Sequence, residues 1–251
     1  MKLLISAVIL FISFTYVLSI SETFGKKVQQ LIKCGFSPDS IIDVGANEGD
    51  WSLAMLKHFP KSQFFMIEGN SIHSNKLNST NIPYVISLVG DSVKKVKFYV
   101  GGGAGTGSSI YSENTNFNFE VKEETIYPID SLLHKYNVPS PQFIKLDIQG
   151  AELLALKGAK KALKSVEVIF TEAPVHNYNE GAPSFYHLYG FLRRSGFELY
   201  DIFDLANLVN NTLVQFDAIF VKSSSKLWEQ SCTGYPAPKH TLSHTTTGTT
   251  D

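Results

Sequence analysis

The sequence has few cysteines and no excess of charge of either sign. Cys34 and Cys232 are its only two cysteines in 251 residues, and they lie far apart along the chain. This number excludes a disulfide framework and a cysteine-based metal knuckle, but leaves open one disulfide or two unrelated thiols. The 22 Lys and Arg residues nearly balance the 23 Asp and Glu residues, for a formal net charge of -1. Because nucleic-acid binding relies on a basic surface, we expect no nucleic-acid partner, and the scattered His and Cys residues predict no metal site.

The sequence has one long apolar run, and it lies at the N-terminus. Lys2 precedes an apolar stretch from Leu3 to Ile20 that is broken mainly by single Ser and Thr residues. A run of about 18 residues lies between the length of a signal-peptide core and that of a short membrane span. We therefore predict that residues 1–20 are a signal peptide or a signal anchor. Either form directs the protein to a membrane or the secretory pathway, and an anchor would make the membrane a partner.

From residue 21 onwards, short apolar runs alternate with stretches that have apolar residues at helical spacing. Such runs predict strands buried on both faces, separated by helices. The predicted strands are residues 41–45, 63–67, 83–89, 142–146, 166–170, 197–203 and 213–221, and the predicted helices are 22–35, 49–58, 71–79, 151–163 and 183–195. Only a short loop joins the last two strands, so we expect them to pair antiparallel. The pattern predicts a doubly wound α/β fold, a mostly parallel seven-stranded sheet with a terminal antiparallel strand.

Two further segments, residues 93–100 and 117–126, alternate apolar and polar residues, and a glycine-rich loop, 101–107, follows the first of them. Such alternation predicts half-exposed strands, and we expect an inserted β-hairpin, a flap added to the main sheet. After Lys222 the sequence turns polar, which predicts a disordered tail. The predicted domain therefore covers residues 21–222, and the tail covers residues 223–251.

The turn after the first strand indicates a ligand. Asp43 ends the strand, and Gly45, Asn47 and Gly49 follow it. Open α/β sheets bind ligands at the carboxyl ends of their strands, where glycine permits close approach and the next helix presents free N–H groups. The third glycine of a dinucleotide fingerprint, G-x-G-x-x-G, is missing here. Asp43 suits the positively charged methionine end of S-adenosylmethionine better than a pyrophosphate, so we predict this cofactor rather than NAD.

Two more acids follow neighbouring strands. Glu68 ends the second strand, where an acid can accept hydrogen bonds from two ribose hydroxyls, as it also does in NAD sites. Asp91 follows the third strand, where it can accept from an adenine amino group or stabilise its own turn. The predicted cofactor contacts are therefore Asp43, Gly45, Asn47, Gly49, Glu68 and Asp91.

Three residues on the same rim are predicted to be catalytic. Asp147 ends the fourth buried strand, where it can orient an acceptor hydroxyl or take its proton. Glu152 opens the next helix, and it can act there or simply stabilise the helix N-terminus. His176 follows the fifth strand and is a candidate base or an ordinary loop histidine. Lys145 lies inside the fourth strand and would pair with a carboxylate or extend outward.

Together these segments resemble the FkbM-type methyltransferases. The resemblance is carried by IIDVGANEGDWSLAML, FFMIEGN, LVGDSVKKVKFYV, YPIDSLL and, most specifically, FIKLDIQGAELLALKGA. It implies a class I methyltransferase fold that transfers a methyl group to oxygen, often to a hydroxyl of a sugar or polyketide. It places cofactor contacts at Asp43, Gly45, Asn47, Gly49 and Glu68, and the acids that the family has after its fourth strand at Asp147 and Glu152. The chain departs from the family at Gln149, where an acid is common, and at Glu68-Gly69-Asn70, where Glu-Pro is frequent.

We therefore expect an S-adenosylmethionine-dependent O-methyltransferase whose partner is a small-molecule or glycan acceptor. Two alternatives stay open, a non-catalytic protein that keeps this fold at a membrane and an NAD-linked oxidoreductase. Because the cofactor is made in the cytosol, the predicted N-terminal segment favours a membrane-anchored protein over a secreted one. The sequons at Asn78 and Asn210 would carry glycans only on the luminal side of a membrane.

Overall fold

The computed structural model describes residues 21–101, 107–113, 119–176, 179–207 and 210–234. The strands are β1 (Ser40–Val44), β2 (Gln63–Glu68), β3 (Tyr84–Ile86), β4 (Leu88–Val89), β5 (Lys94–Val100), β6 (Glu120–Tyr127), β7 (Phe143–Leu146), β8 (Val168–Pro174), β9 (Phe197–Asn207) and β10 (Leu213–Lys222). The helices are α1 (Glu22–Lys33), α2 (Asp50–His58), α3 (Ser74–Ser79), α4 (Ile129–Lys135), α5 (Glu152–Lys157), α6 (Ala162–Ser165), α7 (Phe185–Arg194) and α8 (Gln230–Thr233), with 3-10 helices at Ser71–His73 and Lys226–Trp228. The predicted signal segment, residues 1–20, lies outside the described residues, as do residues 102–106 of the glycine-rich loop and residues 235–251 of the tail.

Seven strands form one sheet in the order β3-β2-β1-β7-β8-β10-β9. Its neighbours are parallel except at β10, which runs antiparallel to both β8 and β9. This confirms the predicted doubly wound α/β fold and its terminal antiparallel strand. The register pairs Val44 with Leu146 and Leu146 with Thr171, so β1, β7 and β8 reach the same edge of the sheet. The strand order reverses between β1 and β7, and such switch points are where these sheets bind ligands.

Helices cover both faces because the central strands are apolar on both. Along β1, Ile42 and Val44 belong to the apolar cluster on one face and Ile41 to the cluster on the other. Helices α1 and α2 pack on the Ile41 face, and α4, α5 and α7 pack on the opposite face. Ser21 caps α1, its side chain accepting a hydrogen bond from the N–H of Phe24 at 3.0 Å.

The predicted hairpin is present, but it belongs to a separate sheet of its own. Strands β5 and β6 pair antiparallel, and β4 runs parallel to β6 in a three-stranded sheet. The predicted single strand 83–89 is therefore wrong, because β3 lies in the large sheet and β4 in the small one. The small sheet packs closely at this point, since a Cβ atom on Gly90 would lie 2.3 Å from Cδ1 of Ile126.

The predicted helix 151–163 is interrupted near Gly158, and it forms α5 and α6 instead. A Cβ atom on Gly158 would lie 2.0 Å from the carbonyl oxygen of Gly90, so the turn after β4 packs directly against the break. The carboxylate of Asp130 then accepts hydrogen bonds from the N–H groups of Lys161 and Ala162, at 2.7 and 2.9 Å. These long-range contacts replace the predicted continuous helix.

The folded domain extends past the predicted boundary at Lys222. Leu227 and Trp228 are buried in the apolar cluster on the α1 face. The indole Nε1 of Trp228 donates a hydrogen bond to the carbonyl of Lys222 at 3.1 Å. The C-terminal segment, residues 226–234, is therefore part of the domain rather than of a disordered tail. None of the helices in the described part of the chain is long and apolar enough to cross a membrane.

Candidate functional site

The first turn, residues 45–49, has a backbone that only certain residues adopt. Gly45, Asn47 and Gly49 all have positive φ angles, of 79°, 51° and 88°. A Cβ atom on Gly45 would lie 1.9 Å from the carbonyl oxygen of Asp147, and one on Gly49 would lie 2.9 Å from Cγ2 of Thr80. The two glycines are therefore needed for close packing between segments of the protein. Gly45 in particular brings the first turn against the end of β7.

Glu68 lies beside the first turn, as the sequence predicts. Its carboxylate accepts hydrogen bonds from the N–H groups of Asn47 and Asn70, each at 2.7 Å. Burial raises the pKa of Glu68, and the N–H groups of Asn70 and Asn47 counter this increase. Each carboxylate oxygen has two lone pairs and uses one here, so both oxygens can still accept from a hydroxyl.

The first turn also holds a buried polar atom that the described residues do not satisfy. Asn47 Oδ1 is buried and has no hydrogen-bond partner among the described residues. Native proteins satisfy most such atoms, so those left over point to water or to a ligand. Together with Glu68, Asn47 Oδ1 fits a ligand that brings hydroxyl groups or other hydrogen-bond donors to this turn.

Asp43 lies beneath the first turn and is fully buried. Ser52 Oγ donates to its carboxylate at 2.7 Å, and Lys145 Nζ lies 3.1 Å from it. Lys145 also donates to the carbonyl of Gly45 at 2.7 Å. Burial lowers the pKa of Lys145, but Asp43 and Asp147 outweigh it and hold that pKa above its ordinary value. Lys145 thus balances the charge of Asp43 and supports the turn, and the predicted contact between Asp43 and a positively charged cofactor stays a prediction.

Asp147 is the exposed member of a group of carboxylates at the end of β7 and β8. Its side chain is 44% exposed, and Lys145 Nζ lies 3.7 Å away. The amide of Gln149 bridges Asp147 and Glu172, with donor distances of 3.3 and 3.1 Å. Gln215 donates to the other oxygen of Glu172 at 2.6 Å. The two amides thus hold Glu172 in place, and Asp147 is left facing outward.

Two loops cover this group by holding the backbone of Gln149. Gln149 has a positive φ of 53°, and its carbonyl accepts hydrogen bonds from Ser109 Oγ and Asn179 Nδ2, both at 2.8 Å. The N–H of Glu180 donates to the carbonyl of Ser112 at 2.7 Å, which joins the two loops to each other. The sequence reasoning missed these covering residues, and it also missed Gln215.

Glu152 binds the turn that connects β7 to α5. Its Oε1 accepts hydrogen bonds from the N–H groups of Ile148 and Gly150, at 3.0 and 3.2 Å. Burial raises the pKa of Glu152 to about 7, although these N–H groups oppose the increase. This arrangement stabilises the backbone that carries Asp147. A direct catalytic role for Glu152 stays a prediction.

We expect the Glu152→Gln variant to be more stable than the wild type above about pH 7. Glu152 has a pKa of about 7 in the folded protein, against 4.5 for the free side chain. Between these values the folded state holds a proton that the unfolded chain has released, so stability falls as the pH rises. Gln resembles the protonated acid and does not titrate. Near pH 8 the free energy of unfolding of the variant should therefore exceed that of the wild type by about 1–3 kcal/mol.

Urea unfolding at about pH 5 and about pH 8 measures this difference. Glu124→Gln is the matched control, because Glu124 is exposed on β6 and should leave the wild-type pH dependence unchanged. Burial also raises the pKa of Glu172 and Asp217, so both the wild type and Glu152→Gln retain a pH dependence of stability from these two groups. Equal pH dependence in the wild type and Glu152→Gln would contradict the assigned titration.

The other two predicted residues lie nearer the rim. His176 is exposed in the loop after β8, and its backbone N–H donates to the carbonyl of Val214 at 3.2 Å. Asp91 lies in the turn after β4 and forms an ion pair with Lys94 at 2.9 Å, which lowers the pKa of Asp91. The predicted roles of both residues stay predictions. No group of three or more His, Cys, Asp or Glu side chains in the described ranges is arranged to hold a metal ion.

The sequence of the domain matches a known family. The model of the methyltransferase FkbM domain matches residues 43–199, from the end of β1 into β9. The chain belongs to the FkbM methyltransferase family. This confirms the resemblance seen in the sequence and identifies S-adenosylmethionine as the cofactor, in place of NAD. No curated protein matches the chain.

Solved methyltransferases are similar to this FkbM domain at low sequence identity. The precorrin-6y C5,15-methyltransferase of Geobacter metallireducens GS-15 is 13% identical, covering 82% of this chain and 91% of that chain, with a TM-score of 0.47. An O-methyltransferase of Bacillus cereus in complex with SAH is 15% identical, covering 86% of this chain and 90% of that chain, with a TM-score of 0.46. The family assignment rests on the sequence match.

Proposed function

We propose that this FkbM methyltransferase acts on oxygen, transferring the methyl group of S-adenosylmethionine to a hydroxyl of a sugar, glycan or small natural product. The observation that supports this proposal is the position of Asp147. Its carboxylate is open to solvent, whereas Glu152 and Glu172 are occupied by hydrogen bonds from the protein. Asp147 also adjoins the first turn through the close approach of Gly45. An acceptor hydroxyl at Asp147 would thus lie next to the cofactor turn.

The residues of the first turn fit the nucleoside part of the cofactor. Glu68 would accept hydrogen bonds from the ribose hydroxyls, and the unsatisfied Oδ1 of Asn47 would receive a donor. When bound, the cofactor supplies an electrophilic methyl group on a sulfonium. Asp147 would orient the acceptor hydroxyl and take its proton, which typically contributes about 10²–10⁴-fold to a rate. Holding the two reactants in line contributes more, up to about 7–11 kcal/mol.

The same proposal includes a location in the secretory pathway or at a membrane. It is supported by the apolar stretch at residues 1–20. Both sequon asparagines, Asn78 and Asn210, are exposed on the folded domain, so an oligosaccharyltransferase could reach them. The mass of the protein purified from its native cells is measured before and after glycosidase treatment. A mass that falls on treatment would indicate a domain in the lumen, and an unmodified mass would indicate a domain that faces the cytosol.

We expect the Glu68→Ala variant to bind S-adenosylmethionine about 100-fold more weakly than the wild type, or worse. The substitution removes acceptors for two hydroxyls, and a hydrogen bond to a charged group contributes roughly 1.5–3 kcal/mol. Calorimetric titration with the cofactor measures the affinity. Because Glu68 also holds the N–H groups of Asn47 and Asn70, thermal unfolding should confirm that the variant is folded.

The matched control is Glu123→Ala, since Glu123 is an exposed acid on the small sheet. Its affinity for the cofactor should equal that of the wild type. A wild-type protein that binds no cofactor would instead support the non-catalytic alternative. Methyl transfer from labelled cofactor to a panel of glycans, lipids and small alcohols then tests the acceptor class. Transfer only to amines or carboxylates would overturn the assignment to hydroxyls.

A further inference from the structure

The fold brings the two cysteines of the sequence together from the two ends of the domain. Cys34 ends α1 as its C-terminal capping residue, and Cys232 lies in α8. Both are half-buried, and both are free thiols in the structure. The sequence left open whether these thiols are unrelated. The structure brings α1 and α8 into contact, because Gln30 of α1 forms a hydrogen bond with the backbone of Cys232.

The contact between α1 and α8 places the two thiols on facing surfaces. Gln30 precedes Cys34 by one helical turn, so the two side chains lie on the same face of α1. The amide Nε2 of Gln30 donates to the carbonyl of Cys232 at 3.1 Å. This hydrogen bond places Cys232 against the face of α1 that carries Cys34. A disulfide requires two cysteines whose side chains can approach each other closely, and the contact between α1 and α8 brings the two cysteines to the same place.

The surroundings of the pair favour a structural role over a reactive one. Burial, and then the neighbouring Cys232, raises the pKa of Cys34 to about 11. Reactive cysteines show the opposite shift, because the thiolate is the nucleophile. The C-terminal segment is also held by the contact of the Trp228 and Tyr200 rings, whose centroids lie 5.2 Å apart. The pair thus lies where a covalent link would reinforce an existing contact.

We propose that Cys34 and Cys232 form a disulfide in an oxidising compartment, and that this bond joins α1 to the C-terminal segment. The oxidant is a low-molecular-weight or protein disulfide. A thiolate of the pair attacks this disulfide and releases one thiol, which leaves a mixed disulfide on the protein. The second cysteine then attacks the protein sulfur of that mixed disulfide and releases the second thiol. Overall, two protein thiols lose two protons and two electrons, and one disulfide is reduced to two thiols.

This inference does not depend on the methyl-transfer activity, so it is tested on the purified full-length protein without cofactor. The protein is incubated with oxidised glutathione or with dithiothreitol, denatured and treated with a thiol alkylating reagent. After oxidation we expect both cysteines to resist alkylation and their peptides to appear cross-linked within one chain by mass spectrometry. We also expect the oxidised protein to unfold about 5–15 °C higher than the reduced protein.

Cys34→Ser and Cys232→Ser are the matched controls, and each should unfold at the same temperature with either reagent. The reduced and oxidised wild type are the same chain, so the comparison holds even if a variant folds poorly. Two alkylated cysteines after oxidation would overturn the proposal. Separate glutathione adducts on each cysteine, or a bond between two chains, would overturn it as well.

Discussion

Replacing Gly45 by alanine is expected to lower the free energy of unfolding by about 4 kcal/mol or more. The added Cβ atom would lie 1.9 Å from the carbonyl oxygen of Asp147 and 2.8 Å from its carbonyl carbon. These are backbone atoms, so no side chain can rotate away to relieve the contact. Positive φ adds a cost of roughly 1–2 kcal/mol for a residue with a side chain. Urea unfolding of the purified variant measures the loss.

The Gly196→Ala variant separates the cost of a positive φ from the cost of the contact with backbone atoms. Gly196 has a positive φ of 86°, close to the 79° of Gly45, but a Cβ atom there would meet nothing within 4 Å. We therefore expect this control to lose only about 1–2 kcal/mol. If Gly45→Ala costs no more than Gly196→Ala, the first turn does not lie against the end of β7 as the structure shows. The site would then lose the contact that places Asp147 next to the first turn.

The parts of the fold that local sequence determines could be predicted well. Strands β1, β2, β7 and β8 are buried on both faces. Each is therefore a short apolar run, which differs from the spaced apolar residues of an amphipathic helix. The acid at the end of β2, Glu68, lies beside the first turn because parallel neighbours end at the same edge of the sheet. The capping of α1 by Ser21 is equally local.

The failures have a common physical cause, which is contact between distant segments. The approach of Gly158 to the carbonyl of Gly90 accompanies the early end of α5, and the local apolar spacing of residues 151–163 contains no sign of it. The covering loops could not be predicted for the same reason, since they meet at the carbonyl of Gln149 only after the chain has folded.

The pairing of Asp43 with Lys145 has a visible signal in the sequence. Two charged residues, Asp43 and Lys145, occur inside strands that are otherwise apolar. The register places them side by side on β1 and β7, and a buried charge is stable only with a partner. Their pairing explains how both charges can be buried, and a contact between Asp43 and the cofactor stays a prediction. The cofactor assignment therefore depends on the family match, and Glu68 and the unsatisfied Oδ1 of Asn47 are consistent with it.

Asp147→Asn is expected to reduce the rate constant of methyl transfer by about 10²–10⁴-fold, because the amide cannot take the proton of the acceptor hydroxyl. Asn has nearly the same shape, and its Oδ1 can still accept the hydrogen bond that Gln149 donates to Asp147. The affinity for S-adenosylmethionine should therefore be unchanged. Single-turnover transfer from labelled cofactor to the acceptor identified by the panel measures the rate constant directly.

Asp39→Asn is the control for this substitution, since Asp39 is an exposed acid that precedes β1 at the opposite edge of the sheet. Its rate should equal that of the wild type. A full rate constant in Asp147→Asn at saturating acceptor, with only a raised KM, would show that Asp147 binds the acceptor without taking its proton. Because both oxygens of Glu172 already accept hydrogen bonds from side-chain amides, Asp147 is the carboxylate of this pair that an acceptor can reach.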